Sequence, residues 1–140
     1  MRDDDKILRK LSFMQRCVSY LKSVDAGSTE LENNYELRSA VERNFQLAIE
    51  SAIDIGEIII SREGFERPEM YRSVFLILGK NRIIPGEFAE EFAQAAGFRN
   101  ILVHMYEEVD LDILYTFLTE RLDDFDTFAR YVAEYLSTHY

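Results

Sequence analysis

Apolar residues recur along most of this 140-residue chain at the three- and four-residue intervals of an α-helix. The first run of this kind predicts a helix that stops near residues 24–27. Its apolar stripe consists of Ile7, Leu11, Met14, Val18 and Leu21. Three aspartates at residues 3–5 precede the stripe and suit the positive end of a helix dipole.

A second and longer helix is predicted over residues 28–62, starting at Ser28 or, if the preceding turn is longer, at Asn33–Asn34. Its main face carries Leu37, Val41, Phe45, Ala48, Ala52, Ile55 and Ile59. Further apolar residues widen this surface beyond one stripe, namely Leu47, Ile49, Ile53 and Ile58. A helix that is apolar on most sides is buried on most sides. We therefore expect a central helix that leaves one face for a second subunit.

Proline and glycine residues divide the next part of the chain. Pro68 suits the first turn of a helix over residues 68–79, which Gly79 is expected to close. Pro85–Gly86 are expected to open another short helix, and Gly97 to interrupt it.

The last predicted helix is long and extends from residue 111 to the C-terminal region. Its apolar stripe consists of Leu111, Leu114, Leu118, Leu122, Phe125, Phe128, Val132 and Tyr135. Successive amphipathic helices with short connections, and no pattern of strand alternation, are typical of a helical bundle. The sequence therefore predicts an all-α antiparallel helical bundle that forms one domain over residues 1–140.

Composition narrows the class of protein further. Glycine and proline number 6 and 2, too few for a β protein with many turns. There is no apolar run long enough to span a membrane, and the N-terminus lacks the apolar centre of a signal peptide. We therefore expect a cytoplasmic protein with no membrane partner. The single cysteine, Cys17, argues against an internal disulfide or a cysteine-rich zinc site.

The net charge of −10 disfavours a polyanionic partner, but the charge is unevenly distributed. Residues 1–24 carry six basic and three acidic side chains, and residues 62–82 carry five and three. If the protein binds RNA, these two segments have to border the binding site. The candidate phosphate contacts in the second segment are Arg62, Arg67, Arg72, Lys80 and Arg82. The same bases suit an acidic face of a protein partner equally well.

Arg99, His104 and Tyr106 form the most suggestive group of reactive side chains. The other histidine, His139, lies next to the C-terminus, where order is usually lost. An imidazole can accept and donate a proton near neutral pH, and a guanidinium binds phosphate with two hydrogen bonds. This pair suits RNA cleavage without a metal. His104 would act as base on the 2′-hydroxyl or as acid to the leaving oxygen, and Arg99 would stabilise the phosphorane charge.

The spacing of the pair places a condition on its geometry. Positions five apart on an unbroken helix are separated by roughly 140°, so Arg99 and His104 would not converge on one phosphate. Either the helix breaks between them or a second copy completes the site. We favour a symmetric dimer, because the intervening residues 101–103 suit a helix. A plainer alternative is a histidine beside the core that pairs with Glu107 or Glu108.

Residues 98–106, Phe-Arg-Asn-Ile-Leu-Val-His-Met-Tyr, resemble the Arg-x4-His-x-Tyr signature of HEPN-domain toxins of the HepT type. Residues 41–56 are similar to the central helix of that family. Residues 68–72 and 83–85 also fall where the family places its corresponding segments. The resemblance covers essentially the whole chain, and separate blocks at the right distances make it more specific than the short motif alone.

The resemblance implies a helical homodimer whose two motifs face each other in a cleft and cleave RNA without a metal or cofactor. It also implies a partner, a minimal nucleotidyltransferase antitoxin that transfers AMP from ATP to the motif tyrosine. By this likeness Arg99 and His104 are catalytic, Tyr106 is the modification site and Asn100 has a supporting role. An adenylyl group on Tyr106 would bring bulk and negative charge to the place where RNA phosphate binds.

Two other classes of function compete with this hypothesis. One is a helical dimer that binds a nucleotidyltransferase or RNA without cleaving, although such a scaffold would not need both Arg99 and His104. The other is a metal enzyme built from the carboxylates of Glu50, Asp54 and Glu57, which share helical spacing. The latter lacks the Glu-x-x-His partner that helical metal sites of this type carry.

Overall fold

The computed structural model describes residues 2–138, except for the side chain of Tyr106. Within this range the chain forms seven α-helices, one short 3-10 helix and no strand, so the all-α prediction is confirmed. The helices are α1 (Asp3–Ser23), α2 (Ser28–Asn33), α3 (Tyr35–Glu63), α4 (Tyr71–Lys80), α5 (Gly86–His104), α6 (Leu111–Glu120) and α7 (Asp123–Thr138), with the 3-10 helix at Tyr106–Glu108. None of the described helices is both long and apolar enough to cross a membrane.

Of the two predicted starts of the long helix, the one at Asn33–Asn34 is confirmed, because α3 begins at Tyr35 and Ser28–Asn33 form the separate short helix α2. The side chain of Asn34 accepts a hydrogen bond from the backbone N–H of Leu37 (3.0 Å) and so caps α3. Helix α3 is the central element and packs mainly against α1. The two helices are antiparallel, since Lys10 Nζ pairs with Asp54 Oδ2 (2.8 Å) while Arg62 pairs with Asp4.

Helices α4 and α5 form the second closely packed pair, and their boundaries differ from the prediction. Helix α4 begins at Tyr71, so Pro68 lies in the preceding loop. Gly79 lies inside α4, where an added Cβ would come 2.5 Å from Cβ of Ala89 in α5. Arg82, with φ 61°, takes the left-handed conformation that ends the helix. Gly79 is therefore required for close helix packing and not for helix termination.

Two further predicted boundaries are wrong. Gly97 does not interrupt α5, which continues to His104. The predicted final helix is divided at Arg121, the residue that ends α6. The Arg121 guanidinium donates to the backbone oxygen of Glu91 (3.1 Å) and pairs with Asp124 Oδ2 (3.0 Å). These contacts with α5 and with the first turn of α7 stabilise the bend.

Aromatic rings hold α5 in the core at both ends. Towards its N-terminus, Phe92 stacks with Phe128 of α7 (5.0 Å between centroids) and contacts Phe75 of α4 edge-on (4.8 Å). Towards its C-terminus, Phe98 stacks with Phe117 of α6 (4.5 Å). Each such pair adds roughly 0.5–1.5 kcal/mol beyond the burial of its surface. The helix that carries the candidate catalytic residues is therefore fixed against three neighbours.

Candidate functional site

The predicted motif occupies the C-terminal half of α5, which is continuous through Arg99, Asn100 and His104. On its inner side Phe98 and Leu102, four residues apart, are buried. This spacing anchors one face of the helix and directs the polar residues of the motif away from the core. The prediction that the motif lies on a rigid element therefore agrees with the structure.

His104 is the last residue of α5 and its side chain is exposed. The following residue, Met105, donates its backbone N–H to Ile101 O (2.9 Å) and closes the helix. Within residues 2–138, His104 has no hydrogen bond or ion pair with Glu107 or Glu108. The plainer alternative, a histidine held by an adjacent carboxylate, is therefore not what the structure contains.

A groove of about 560 Å³ opens beside His104, between α3, α5 and the loop that leads into α4. Its lining combines two thioethers, one aromatic ring and several polar groups: Glu57, Pro68, Glu69, Met70, Tyr71, Val74, Asn100, His104 and Met105. Met70, Tyr71 and Met105 are exposed despite being large and apolar. Exposed apolar groups around a polar site are typical of surfaces that bind a ligand or another protein.

Arg99 lies behind this groove and is only 14% exposed. Its guanidinium is 4.8 Å from the ring centroid of Tyr71, and Nη1 donates to Oδ1 of Asn100 (3.1 Å). Nε lies 3.6 Å from Oε1 of Glu50 and has no hydrogen-bond acceptor among the described residues. Since the guanidinium makes no two-point hydrogen bond to the carboxylate, its remaining N–H groups can donate to a phosphate without leaving this position.

The three carboxylates of α3 have separate surroundings. Glu50 accepts a hydrogen bond from Gln46 Nε2 (2.8 Å) in addition to its contact with Arg99, while Asp54 pairs with Lys10. Partial burial, together with the nearby negative charge of Asp54, raises the pKa of Glu57. No three His, Cys, Asp or Glu side chains of residues 2–138 are grouped as metal ligands. The arrangement on which the metal-enzyme alternative depended is therefore not present in this part of the chain.

Because α5 is unbroken, Arg99 and His104 leave it roughly 140° apart, as the sequence predicted. Arg99 points towards Glu50, whereas His104 lines the groove. Tyr71 connects them, since its ring contacts the Arg99 guanidinium and lines the groove with His104. The two catalytic candidates are thus neighbours that do not converge on one point within a single copy.

A family model described as Ribonuclease HepT-like matches residues 11–132, a range that includes α3, α5 and the whole motif. The chain belongs to this family. The resemblance found in the sequence is therefore confirmed, and with it the ribonuclease class.

Curated relatives and solved structures of HepT proteins cover almost the whole chain. The mRNA nuclease HepT of Shewanella oneidensis is 29% identical over 125 residues, which span 89% of this chain and 94% of that protein. The tRNA nuclease HepT of Aphanizomenon flos-aquae is 28% identical over 130 residues, 92% of this chain and 88% of that protein. A solved structure of a tri-AMPylated S. oneidensis HEPN toxin in complex with MNT antitoxin matches with a TM-score of 0.86 and 28% identity, covering 96% of this chain and 99% of that one.

The five predicted phosphate contacts of this HepT-like chain do not line the groove beside His104. Arg62 pairs with Asp4, and Lys80 with Glu66 (3.1 Å). Arg67, Arg72 and Arg82 are exposed, but none of the five bases lines the groove beside His104. The side chain of Tyr106 and the whole of His139 lie outside the described part of the structure.

Sequence reasoning missed the surroundings of Arg99 in this HepT-like site. Glu50 was considered only as a metal ligand, and Gln46 and Tyr71 were not considered. The only signal was that Gln46 and Glu50 are polar residues one turn apart on the central helix, a spacing at which their side chains can pair. Nothing in the sequence linked them to Arg99, which lies 49 positions after Glu50.

Proposed function

We propose that this HepT-like chain is the endoribonuclease toxin of a toxin–antitoxin pair and that it cleaves RNA without a metal, in the cytoplasm. One observation carries the proposal: the family match includes an exposed His104 and a preorganised Arg99 on one rigid helix beside an open groove. The names of the two HepT relatives, an mRNA nuclease and a tRNA nuclease, support RNA as the substrate.

The chemistry follows from the two side chains. His104 takes the proton of a 2′-hydroxyl, whose oxygen then attacks the adjacent phosphorus, or it gives a proton to the departing 5′-oxygen. Arg99 stabilises the charge that develops on the non-bridging oxygens. Asn100 supports Arg99 through its hydrogen bond to the guanidinium. The bond between phosphorus and the 5′-oxygen breaks, which leaves a cyclic phosphate and a free hydroxyl.

We propose further that two copies form a symmetric dimer whose motifs face each other across the cleft. The angle between Arg99 and His104 on an unbroken helix supports this arrangement, because one copy does not direct both groups at one phosphate. The exposed apolar side chains of Met70, Tyr71 and Met105 beside His104 also favour coverage by a second copy. In such a dimer one His104 can act as base while the other acts as acid.

A nucleotidyltransferase antitoxin is the proposed partner, with Tyr106 as the residue that receives AMP. Tyr106 follows His104 by two positions and begins the 3-10 helix Tyr106–Glu108. The related toxin whose structure is solved with MNT antitoxin carries three AMP groups, which supports this form of control. Arg67, Arg72 and Arg82 remain candidate contacts for a longer RNA, whereas Arg62 and Lys80 already pair with acidic side chains.

Intact-mass measurement tests the proposed neutralisation. After incubation with the nucleotidyltransferase, ATP and Mg²⁺, the wild type should gain one or more adenylyl groups and lose RNA cleavage. Tyr106→Phe lacks the acceptor hydroxyl, so it should gain no adenylyl group on residue 106 and should remain active in the presence of the partner. Neutralisation of Tyr106→Phe to the wild-type extent would contradict the assignment.

The second candidate function is a binding module that does not cleave RNA. The contacts of Arg99 with Glu50 and Tyr71 favour it, since they give the guanidinium a structural role between α3, α4 and α5. In that case RNA or the nucleotidyltransferase would bind, but no variant of His104 would change the integrity of the RNA.

A further inference from the structure

One edge of α1 carries basic residues next to an exposed aromatic ring. Lys6, Arg9, Phe13 and Arg16 follow one another at intervals of three, four and three residues, so they share one side of the helix. We call these four residues the basic edge; it extends for about 15 Å along the helix axis. Together α1 and α3 border a second groove, the α1–α3 groove, of about 510 Å³, lined by Lys6, Arg9, Lys10, Phe13, Leu47, Glu50, Ser51 and Asp54.

The charges in this groove leave an excess of positive charge. Its two carboxylates are already engaged, Asp54 by Lys10 and Glu50 by Gln46 and Arg99. Lys6 and Arg9 are exposed and have no ion-pair partner within residues 2–138. In a chain with a net charge of −10, two unpaired cations in one groove favour an anionic occupant.

Phe13 gives this groove a second property, because this aromatic residue is 37% exposed. The Arg16 guanidinium lies 5.6 Å from the ring centroid. An exposed ring beside cations is the arrangement with which proteins bind single-stranded nucleic acid, where a base stacks on the ring and the cations bind the phosphates. An acidic protein surface would form ion pairs with the cations, but it would not require an exposed aromatic ring beside them.

The α1–α3 groove lies next to the proposed catalytic residues. Glu50 lines it, and the carboxylate of Glu50 is 3.6 Å from Nε of Arg99. One helical turn beyond Asp54, Glu57 lines the groove beside His104. The two grooves therefore border consecutive turns of α3, so a strand bound beside His104 can continue along α3 to α1.

We propose that the α1–α3 groove binds the single-stranded RNA that flanks the cleaved bond. A base stacks on Phe13, and Lys6 and Arg9 bind the neighbouring phosphates. This inference rests on the proposed ribonuclease function and adds to it a binding surface that holds the substrate outside the reacting position. It also explains how an acidic chain binds a polyanion, since the contacts are concentrated on one helix.

Binding of an RNA that cannot be cleaved tests this surface. The probe is a single-stranded RNA methylated at every 2′-oxygen and long enough to fill both grooves, and its affinity is measured at several salt concentrations. Phe13→Leu should weaken binding about fivefold or more, whereas Phe13→Tyr, which keeps the ring, should bind like the wild type. The slope of the logarithm of the binding constant against the logarithm of the salt concentration should become shallower by about 1.4 in the double variant Lys6→Gln/Arg9→Gln. Each phosphate contact on a single strand contributes about 0.7 to this slope, and the variant removes two.

Arg130→Gln is the matched control, because Arg130 also lies over an aromatic ring (Tyr131, 5.3 Å) but on α7, away from the α1–α3 groove. It should leave both affinity and salt slope unchanged, and thermal unfolding should verify that every variant is folded. Wild-type affinity and slope in Phe13→Leu and in the double variant would overturn the inference. Loss of nucleotidyltransferase binding with RNA binding intact would also overturn it and make this groove a protein interface. Cleavage of unmodified RNA by the wild type, measured in parallel, tests the proposed function separately.

Discussion

At the scale of single residues, the surroundings of Arg99 explain how a guanidinium is made ready for a phosphate. The Glu50 carboxylate attracts it, the Tyr71 ring lies against its flat face, and Asn100 accepts a hydrogen bond from one of its N–H groups. Gln46 in turn orients Glu50. A catalytic group that is fixed before substrate arrives loses less entropy in the reaction.

Glu50→Gln tests this role of the carboxylate. The substitution keeps the shape of the side chain and removes the charge that holds Arg99, so RNA cleavage should fall by roughly tenfold or more as the guanidinium loses its position. Cleavage kinetics measure the effect. Glu42→Gln is the control, since Glu42 also lies on α3 and pairs with an arginine, Arg38 (2.9 Å). Equal cleavage rates for the two variants would show that Glu50 does not position Arg99.

Glu57→Gln tests the raised pKa of Glu57. Partial burial and the charge of Asp54 raise the pKa in the folded state, so the ionised carboxylate destabilises the fold at neutral pH. Glu57→Gln should therefore be more stable than the wild type at pH 7. The difference in the free energy of unfolding between the variant and the wild type should decrease as the pH falls through the raised pKa of Glu57. It should vanish below the ordinary pKa of 4.5, where the side chain at position 57 is neutral in both proteins. Urea unfolding across this pH range measures it, and a difference that does not change with pH would refute the explanation.

At the scale of helices, the sequence predicted which segments are helical but not the roles of the glycines. Gly79 and Gly97 have the same signal in the sequence, a glycine after an apolar run, and both were expected to end or interrupt a helix. Neither does so, because both lie inside helices. Their roles depend on the space around them, which only the packing of α4 against α5 determines.

Alanine at these two glycines should change stability in opposite directions. Gly79→Ala places a methyl group 2.5 Å from Cβ of Ala89, which should destabilise the fold by about 1–3 kcal/mol. Gly97→Ala meets no atom within 4 Å and should stabilise the fold by about 0.5–1 kcal/mol through helix propensity. Free energies of unfolding in urea measure both. Changes of the same sign would contradict the packing described for α4 and α5.

At the scale of the whole molecule, the periodicity of apolar residues was sufficient to predict the all-helical fold class and the central position of α3. It could not predict the bend at Arg121, because the apolar stripe of residues 111–135 continues across it. The motif pointed to Arg99 and His104, whereas Glu50 and Tyr71, distant in sequence, become visible only once α3, α4 and α5 are packed together. Long-range contacts of this kind have no local signal in a single sequence.

The central claim is that His104 and Arg99 cleave RNA without a metal. The most direct measurement is RNA cleavage by the purified chain in the presence of EDTA, comparing the wild type with His104→Ala and with Arg130→Gln as a control for surface substitution. The wild type and Arg130→Gln should cleave at equal rates and His104→Ala should not cleave, while all three keep the same helical content. Cleavage by His104→Ala at the wild-type rate, or cleavage that EDTA abolishes, would contradict the account.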